Sequence, residues 1–451
     1  MVCECDCKRI PQSESVPTLT AFPTVNELEL DTEVVVIGNG PAGISISHFS
    51  RGKSLIDQDL SWFQDECAER INPGVGPFAA FYDTLVRPPV AEERQFLDSG
   101  CHTSCLAWRH LRHRAVPHIV LGDGEVGGSW NSYDDDMVTV SMAHWMDLPC
   151  YPLAAWMGGK PLIDRLPAAV IRQYFQAYTK HMGIDYNFKP FSKVTSVMNY
   201  CYDPTGERYW QVSGLCRGLP FSIKCRKIVL ACGRSHPRTL EVMGELNTTD
   251  SRVVYDVASM KRLLSIPPIY VDEPVPISSL CAADAVLHCL ANSIPVLHLI
   301  RRNEKQIRSV MISRLSVAVY PEYAKVFRLM TKRERDPNYR CCTSSQIVSL
   351  DNQLRLAAIQ TPHGIVNEPF NFIVACVGRQ SQLEMLSGKF EFLANYQSSE
   401  DTTLFAIGSL AGDHFVRYLI GGALQRSLFC AIRGQGRLMK CTWTVVWMEK
   451  T

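Results

Sequence analysis

Short apolar runs that end on glycine recur along the chain and predict the strands of its fold. The first is Val34–Ile37, which leads into Gly38. Further runs of the same form are 117–121 before Gly122, 228–232 before Gly233, 372–377 before Gly378 and 404–407 before Gly408. Runs of this length, rich in Val, Ile and Leu, are typical of strands buried on both faces of a parallel sheet. The pattern therefore predicts an α/β fold.

Helical and hairpin patterns fill the spaces between these runs. Apolar residues continue past Gly43 as a helix-like segment, and residues 168–182 have the periodicity of an amphipathic helix. Another helix is predicted to begin at 282–287, ahead of an apolar strand at 295–300. The segments 209–213 and 227–232 resemble the two arms of a hairpin.

The segment 51–116 separates the first strand and helix from the second strand at 117–122. An ordinary βαβ unit returns to its second strand within about 30 residues, so this segment is interpreted as an insertion. Its patterns predict helices over 57–71 and 92–111 and a loop over 72–77. A long insertion beside a cofactor site forms a cap or a surface for protein partners, whereas the plainer alternative is a surface elaboration.

Three glycines with the spacing G-x-G-x-x-G follow the first strand. They lie in the sequence Gly38-Asn39-Gly40-Pro41-Ala42-Gly43. In dinucleotide-binding folds the first glycine makes a tight turn, the second lets the pyrophosphate approach the backbone, and the third lets the helix pack on the strand. The helix N-terminus offers N–H groups and a positive dipole end to phosphates, and Pro41 suits the first turn. Between a strand and a helix, the motif favours dinucleotide binding over an unrelated surface turn.

Two later segments fit the surroundings of a bound dinucleotide. Gly127-Gly128-Ser129-Trp130 follows the second strand, where a loop can lie under a flat ring system, although Trp130 is also typical of a packed core aromatic. A glycine-rich turn containing Asp413 follows the strand at 404–407. An acid at that position can accept a hydrogen bond from a polyol hydroxyl.

A second nucleotide-binding unit is predicted between the runs at 228–232 and 372–377. Its strands are expected at 269–271 and 295–300, and the latter ends on Arg301 and Arg302. Arginines at this strand end bind the 2′-phosphate of NADP in such units, and the alternative is a solvated basic pair. The segment 272–280 carries two prolines and two acids but no glycine, which predicts an impaired phosphate turn.

Composition narrows the class of protein. The chain has 451 residues, enough for two or three domains, and its 46 basic and 45 acidic residues nearly cancel, so no nucleic-acid partner is expected. No apolar run reaches the length of about 18 residues that a membrane span needs, and the polar N-terminus does not resemble a signal peptide. We therefore expect an intracellular, cytoplasmic protein.

The 18 cysteines are expected to be reduced thiols, because a long chain without a signal is not a disulfide scaffold. Several lie in apolar runs, where cysteine behaves as a small buried hydrophobe: Cys232, Cys289, Cys376 and Cys430. The C-x-C-x-C at Cys3, Cys5 and Cys7 is interpreted as a frayed tail rather than a metal or redox site, because no second ligand cluster accompanies it. The absence of C-x-x-C argues against a dithiol reductase.

The combined motifs resemble class B flavin monooxygenases and, more closely, the oxidative stress-induced growth inhibitor proteins. The finer resemblance rests on blocks that occur in family order between about residues 34 and 426. These are Ile56-Asp57-Gln58-Asp59-Leu60, Phe81-Tyr82-Asp83-Thr84-Leu85, Trp145-Met146-Asp147-Leu148-Pro149, Ala282-Ala283-Asp284-Ala285-Val286-Leu287, Tyr320-Pro321-Glu322-Tyr323 with Lys325-Val326, and Leu410-Ala411-Gly412-Asp413-His414-Phe415-Val416-Arg417-Tyr418.

This resemblance implies two Rossmann-like dinucleotide-binding domains, the second inserted in the first. It places FAD in a domain made of 33–260 and 370–437 and NADPH in a domain over 261–369, with a disordered lead-in at 1–32 and a tail at 438–451. Gly38, Gly40 and Gly43 would hold the FAD pyrophosphate, Gly128 and Trp130 would lie along the flavin, and Asp413 would lie near the ribityl chain. Arg301 and Arg302 would bind NADPH, although the departure at 272–280 argues against tight binding.

The implied function is an FAD-dependent, NADPH-using monooxygenase-like oxidoreductase that acts on a small-molecule substrate and O₂. The resemblance links it to oxidative stress and the restraint of cell growth. The alternative is a non-catalytic flavin-fold regulator that acts through protein partners, and the impaired turn favours it. A single-nucleotide NAD dehydrogenase fits poorly, because it explains neither the loop at 127–130 nor the turn at Asp413. No acid, base or nucleophile is marked as catalytic by its spacing.

Overall fold

Two sheets form the centre of the protein, and helices pack against both. The first sheet is mixed, with parallel strands at its centre and antiparallel strands on one side, and the second is parallel. The computed structural model describes residues 30–55, 77–87, 104, 106–159, 164–200, 208–245, 252–265, 275–278 and 282–431. The lead-in before residue 30, the tail at 438–451 and the predicted helix at 57–71 lie outside these residues.

In chain order the strands are β1 (Thr32–Ile37), β2 (Lys53–Leu55), β3 (Trp108–His110), β4 (His118–Leu121), β5 (Phe188–Lys189), β6 (Ser192–Tyr200), β7 (Tyr209–Cys216), β8 (Leu219–Leu230), β9 (His236–Pro237), β10 (Val253–Val254), β11 (Val275–Ser278), β12 (Val296–Ile300), β13 (Tyr339–Thr343), β14 (Gln346–Asp351), β15 (Leu356–Thr361), β16 (Gly364–Pro369), β17 (Ile373–Ala375), β18 (Arg379–Gln380) and β19 (Leu404–Ala406). The α-helices are α1 (Pro41–Ser50), α2 (Pro77–Val86), α3 (Leu153–Trp156), α4 (Ala168–His181), α5 (Val257–Leu264), α6 (Ala282–Ala291), α7 (Glu304–Ile307), α8 (Pro321–Met330) and α9 (Val416–Ala431).

The first sheet has the order β5-β4-β1-β8-β7-β6, with β19 also paired to β8. Strand β1 lies at its centre, parallel to β4 on one side and to β8 on the other. Val34, Val35 and Val36 are each at most 2% exposed, so the strand is buried on both faces, as its apolar run predicts. The predicted hairpin is correct in its first arm and wrong in its second, because β7 pairs as an antiparallel neighbour with residues 219–225 of β8. The predicted second arm lies further along β8, where residues 227–230 pair in parallel with β1.

The second sheet has the order β10-β17-β11-β12-β13, and all of its pairs are parallel. Helix α6 connects its central strand β11 to β12, as in a βαβ unit. A three-stranded antiparallel meander, β14-β15-β16, follows β13 before the chain returns to β17. The second sheet is thus inserted between β8 and β19 of the first, which agrees with the predicted arrangement.

The boundaries of the inserted unit differ from the prediction. Residues 253–254 and 373–375 were assigned to the FAD domain, but β10 and β17 pair within the second sheet. The chain crosses between the sheets at β9 and β18, which pair with each other. Both crossings follow apolar runs that end on glycine, at Gly233 and Gly378, and these runs predicted the crossings correctly. The exact boundaries were missed because the strands there are only two or three residues long.

The insertion at 51–116 also differs from the prediction where the structure describes it. The predicted helix over 92–111 is wrong at its C-terminal end, because Trp108–His110 form β3 and pair with β2. Helix α2 was not predicted. Its first residue, Pro77, was assigned to the loop at 72–77, and its other residues were assigned to no element. Long-range strand pairing overrides the local pattern in the first case.

Helix α2 is part of the core rather than a detached surface. It packs on α9, which in turn packs on α1. The buried Asp83 carboxylate accepts hydrogen bonds from Arg87 Nη1 at 2.6 Å and from Arg417 Nε at 2.9 Å, and Arg87 also donates to the His144 carbonyl. The described helix of the insertion is therefore tied to the C-terminal helix by a buried ion-pair cluster.

The first strand of the second unit lies later in the chain than predicted. The expected strand at 269–271 is outside the described residues, and the central position of the sheet is taken by β11 at Val275–Ser278. This strand lies inside the proline-containing segment that was interpreted as a damaged turn. Its placement comes from pairing with β12 and β17, which local propensity does not reveal.

Of the helices in the described ranges, none combines the length and the apolar character needed to cross a bilayer. The described cysteines are free thiols, and Cys289 and Cys376 are buried as predicted, whereas Cys232 is half-buried. The described residues also contain no group of three or more His, Cys, Asp or Glu side chains placed to hold a metal ion.

Candidate functional site

The three glycines of the first motif form a turn between β1 and α1, but the fold requires only two of them. Gly38 has φ +118°, and a Cβ there would lie 2.3 Å from the Ala231 carbonyl oxygen. A Cβ on Gly43 would lie 2.0 Å from the Gly38 carbonyl oxygen. At Gly40 the nearest atom to such a Cβ would be the Gly128 Cα, at 3.8 Å. The described residues therefore leave room for a side chain at Gly40.

Gly40 is the N-cap residue of α1, and this helix end has no side-chain cap. Its first turn contains no acidic residue, and Pro41 occupies the first helical position. By contrast, Asp256 caps α5 and Asn303 caps α7. The positive dipole end of α1 is thus left without a side-chain anion, which is the arrangement that suits a diphosphate.

The loop after β4 lies directly against this turn. The Gly127 N–H donates to the Asn39 carbonyl at 3.0 Å, and Asn39 Nδ2 donates to the Gly124 carbonyl at 2.7 Å. Gly128 has φ +57°, and a Cβ on it would lie 2.8 Å from the Gly40 Cα. The structure therefore brings together the two glycine segments that the sequence marks, and it gives the Asn39 side chain a structural role in holding the loop.

Trp130 packs toward α4. Its ring makes edge contacts with Phe175, at a centroid distance of 5.9 Å, and with Tyr133, at 5.3 Å. The half-buried indole joins the hydrophobic core of the first sheet. The core-aromatic interpretation thus accounts for the contacts seen, and a role beside the flavin stays a prediction.

The turn after β19 reaches the other side of the glycine motif. A Cβ on Gly408, which has φ +69°, would lie 2.9 Å from the Cβ of Ala42. Asp413 follows in this turn and is 1% exposed, close to the Tyr396 ring and the buried Arg426. Burial raises the pKa of Tyr396, and the charge of the Asp413 carboxylate raises it further. The turn lies beside the candidate pyrophosphate site, while the Asp413 side chain is directed into a buried polar cluster.

Arg301 and Arg302 lie in the second unit, at the carboxyl end of β12, and both are exposed. Ligands of open parallel sheets bind at this edge, so the position fits a 2′-phosphate contact. Three residues, Ser279-Leu280-Cys281, connect β11 to α6, and none of them is glycine. Asp284 stands in the first turn of α6, and burial raises the pKa of its carboxyl.

Sequence reasoning missed a basic cluster at the crossings between the two sheets. Arg234 directly follows Gly233, and its N–H donates to Ser409 Oγ at 3.2 Å. Arg379 directly follows Gly378, and its guanidinium donates to the Ser235 carbonyl. His414 lies near Arg234, and its pKa is lowered first by burial and then by that guanidinium charge. The repeated Gly-Arg pair was the signal available in the sequence.

Comparison with curated proteins places the chain in a family. It is 35% identical over 441 residues to the oxidative stress induced growth inhibitor homolog of Caenorhabditis elegans, covering 88% of this chain and 93% of that protein. It is 30% identical over 458 residues to the human oxidative stress-induced growth inhibitor 1, covering 87% and 93%. The chain belongs to the oxidative stress-induced growth inhibitor family. No family model matches it.

Solved structures of similar fold are flavin-type monooxygenases and a disulfide reductase. A bacillithiol disulfide reductase from Staphylococcus aureus superposes with a TM-score of 0.57 at 13% identity. The match covers 90% of this chain and 100% of the reductase. The ornithine hydroxylase of Pseudomonas aeruginosa gives 0.57 at 12% identity, covering 89% and 98%. These likenesses confirm the predicted fold of two Rossmann-like domains.

Proposed function

We propose that this growth inhibitor family member is an FAD-binding, monooxygenase-like oxidoreductase that takes electrons from NADPH and uses O₂ and a small-molecule substrate. The observation that carries the proposal is the open space at Gly40. The fold explains Gly38 and Gly43 by backbone contacts of 2.3 and 2.0 Å. Among the described residues, the nearest atom to a Cβ at position 40 would be 3.8 Å away, so the fold does not explain why a side chain is missing there. Close approach by a ligand's pyrophosphate supplies the reason.

The surroundings of Gly40 suit that group. The uncapped N-terminus of α1 supplies positive potential and backbone donors, and the Asn39 hydrogen bonds hold the loop at 124–128 against the turn. Gly40, Ala42 and Gly43 would bind the pyrophosphate, and Gly128 would line the same cleft. The flavin, when bound, supplies hydride acceptance and oxygen activation, while the protein supplies binding, orientation and exclusion of water.

The second unit would present NADPH to the flavin through Arg301 and Arg302. The guanidinium groups can donate paired hydrogen bonds to a 2′-phosphate, which NADH lacks. The glycine-free connection at 279–281 would give the pyrophosphate a weaker seat, so NADPH use would be weakened rather than lost. Through its family, this activity would be linked to growth restraint under oxidative stress.

An absorption spectrum of the purified protein, before and after NADPH without oxygen, tests the proposal. A flavin band that bleaches with NADPH is the expected result, with a slower or less complete bleach by NADH. Folded protein with no flavin band, even after incubation with FAD, would overturn the assignment of the Gly40 site.

The second candidate is a flavin-fold regulator that acts through protein partners. The observation that favours it is the second unit, where the phosphate turn has no glycine and Asp284 stands in the first turn of the helix. A flavin band that NADPH does not change, together with reduction of the same flavin by dithionite, would favour this function over the enzyme.

A further inference from the structure

Two equivalent points of the fold carry the same pair of residues. Strand β8 leads through Gly233, with φ +64°, to Arg234, and β17 leads through Gly378, with φ +99°, to Arg379. Each pair starts a crossing between the sheets, and the crossings run side by side because Arg379 pairs with Pro237. Arg238 joins them, since its N–H donates to the Gly378 carbonyl at 3.0 Å.

The resulting cluster is cationic. Within the part of the chain that the structure describes, no ion pair joins Arg234, Arg238 or Arg379 to a carboxylate. Arg234 and Arg238 are exposed, and Arg379 is held by the Ser235 carbonyl, with its Nε buried and without a hydrogen-bond partner among the described atoms. Positive groups gathered without acids raise the local concentration of anions.

The cluster adjoins the candidate flavin turn. Ser409 Oγ, which accepts from Arg234, follows Gly408, and Gly408 packs on Ala42 of α1. The backbone of Cys232, two residues before Arg234, lies against Gly38 of the turn. An anion held by the arginines would therefore lie next to the turn, at the junction of the two units.

We propose that Arg234 and Arg379, supported by Arg238 and His414, bind the carboxylate of a small organic anion, which is the substrate of the proposed oxidoreductase. The substrate role rests on the proposed function. The phosphates of the two cofactors are assigned elsewhere: the FAD pyrophosphate at the N-terminus of α1, the NADPH 2′-phosphate at Arg301 and Arg302, and the NADPH pyrophosphate at the connection 279–281. This charge is therefore left for a third anion. Guanidinium groups match carboxylate geometry through paired hydrogen bonds.

Calorimetric titration of the full chain with hexanoate and with hexanamide tests the proposal, because the two probes differ in charge and share a tail. Hexanoate should bind at least tenfold more tightly than hexanamide. Arg234→Gln should remove that preference, and Arg379→Gln should do the same. Arg333→Gln, which changes an exposed arginine between α8 and β13, should leave it unchanged. Arg234→Gln guards against a folding artefact, since the variant keeps the main-chain N–H that donates to Ser409 Oγ.

Equal binding of hexanoate and hexanamide, or loss of the preference in Arg333→Gln, would overturn the site. Hexanoate binding only after FAD is stripped would assign the cluster to the flavin phosphates instead. Competition by NADP⁺, with NADP⁺ affinity falling in Arg234→Gln as much as hexanoate affinity, would assign it to the nicotinamide cofactor. Selective hexanoate binding by protein that cannot take up FAD would keep the anion site and remove the proposed function.

Discussion

The two nucleotide-binding units share a backbone plan but differ at the turn that would hold phosphates. In the first unit, three residues, 38–40, connect the end of β1 to the start of α1. In the second, three residues, 279–281, connect the end of β11 to the start of α6. Glycines occupy the first and last linking positions of the first unit, and Ser279 and Cys281 occupy those of the second.

The third helical residue shows the contrast most clearly. In α1 it is Gly43, which packs bare backbone against the Gly38 carbonyl. In α6 it is Asp284, whose carboxylate accepts a hydrogen bond from the Tyr323 hydroxyl at 3.1 Å. The second helix is thus fixed by side-chain contacts with α8 rather than by a close backbone approach.

The sheet and the phosphate turn are therefore separable. The second unit keeps a buried core, with Ala282, Val286 and Cys289 each at 0% exposure, although its turn has lost every glycine. Apolar packing maintains the fold of the second unit without these glycines. In the first unit, the fold does not require the glycine at position 40.

Gly40→Asp should break the first site without harming the first fold. A carboxylate about 4 Å from a phosphate costs about 4 kcal/mol at an effective dielectric of 20, so flavin content after purification should fall below about a tenth. Aspartate is also a better N-cap than glycine, so the flavin-free variant should be as stable as flavin-free wild type or more stable by a few tenths of a kcal/mol. Flavin content by absorbance and a urea unfolding curve measure the two effects.

Gly40→Ala is the matched control, since it adds bulk without charge and should retain more flavin than the aspartate variant. Full flavin content in Gly40→Asp would contradict the assignment of this turn.

Replacing Arg301 and Arg302 by alanine should weaken the second site selectively. Loss of charge-assisted contacts to the 2′-phosphate is worth about 2 kcal/mol, so the NADPH concentration for half-maximal flavin bleaching should rise about thirtyfold. The requirement for NADH should change little. Arg333 and Arg335, two exposed arginines in the connection between α8 and β13, provide the control pair. Equal shifts for NADPH and NADH would favour the solvated-pair interpretation.

Low pH should destabilise both units to a similar extent, because each sheet contains one buried histidine. His118 on β4 and His298 on β12 are buried, and burial lowers the pKa of each from 6.5 to about 4. The unfolded chain therefore binds more protons than the folded protein between pH 6.5 and 4, and stability falls as pH drops through that range. Each histidine should cost about 1–2 kcal/mol at pH 5.

Urea unfolding at pH 7.5 and pH 5.0 measures this loss. The difference should shrink in His298→Gln and by a similar amount in His118→Gln. Each substitution also removes a ring contact with a hydroxyl, that of Tyr339 for His298 and that of Ser47 for His118. An unchanged difference in both variants would show that other groups cause the acid sensitivity.

Restoring glycine to the second turn gives the smallest expected effect. Ser279→Gly combined with Cys281→Gly should tighten NADPH binding about tenfold, or about 1.4 kcal/mol, because backbone could then approach the pyrophosphate. The corresponding alanine pair should leave the affinity near that of wild type. A titration that gave the same affinity for both pairs would show that Asp284 or Pro276, rather than the missing glycines, limits this site.

The sequence predicted best where local chemistry decides the structure. The apolar run before Gly38 could form only a buried strand, and a positive φ with close packing demanded glycine there, so strand, turn and helix were all predicted. The strand at 275–278 was missed because Pro276 disfavours a central strand locally, and only pairing with β12 and β17 places it there. Trp108–His110 were wrongly assigned to a helix because their strand also depends on a distant partner. They pair with β2, which lies more than 50 residues earlier in the chain.

The candidate site divides in the same way. The glycine turn and the position of Arg301 and Arg302 could be predicted, because motif and strand end are local features. The proximity of the crossings that carry Arg234 and Arg379 could not, since it arises from the pairing of β9 with β18 between the two sheets.

The ion pair of Asp83 with Arg417 joins residues 334 positions apart, and it has a consequence for the order of synthesis. Domains usually complete themselves from the N-terminus as the ribosome delivers them at about 5–20 residues per second. Here the inserted unit has all its strands once residue 375 has emerged, whereas the first sheet still waits for β19, and α2 still waits for α9. The nascent chain therefore carries a finished second unit beside an open first sheet for several seconds. A stop codon before residue 417 would remove most of α9 and permanently expose the faces of α1 and α2 that pack on it.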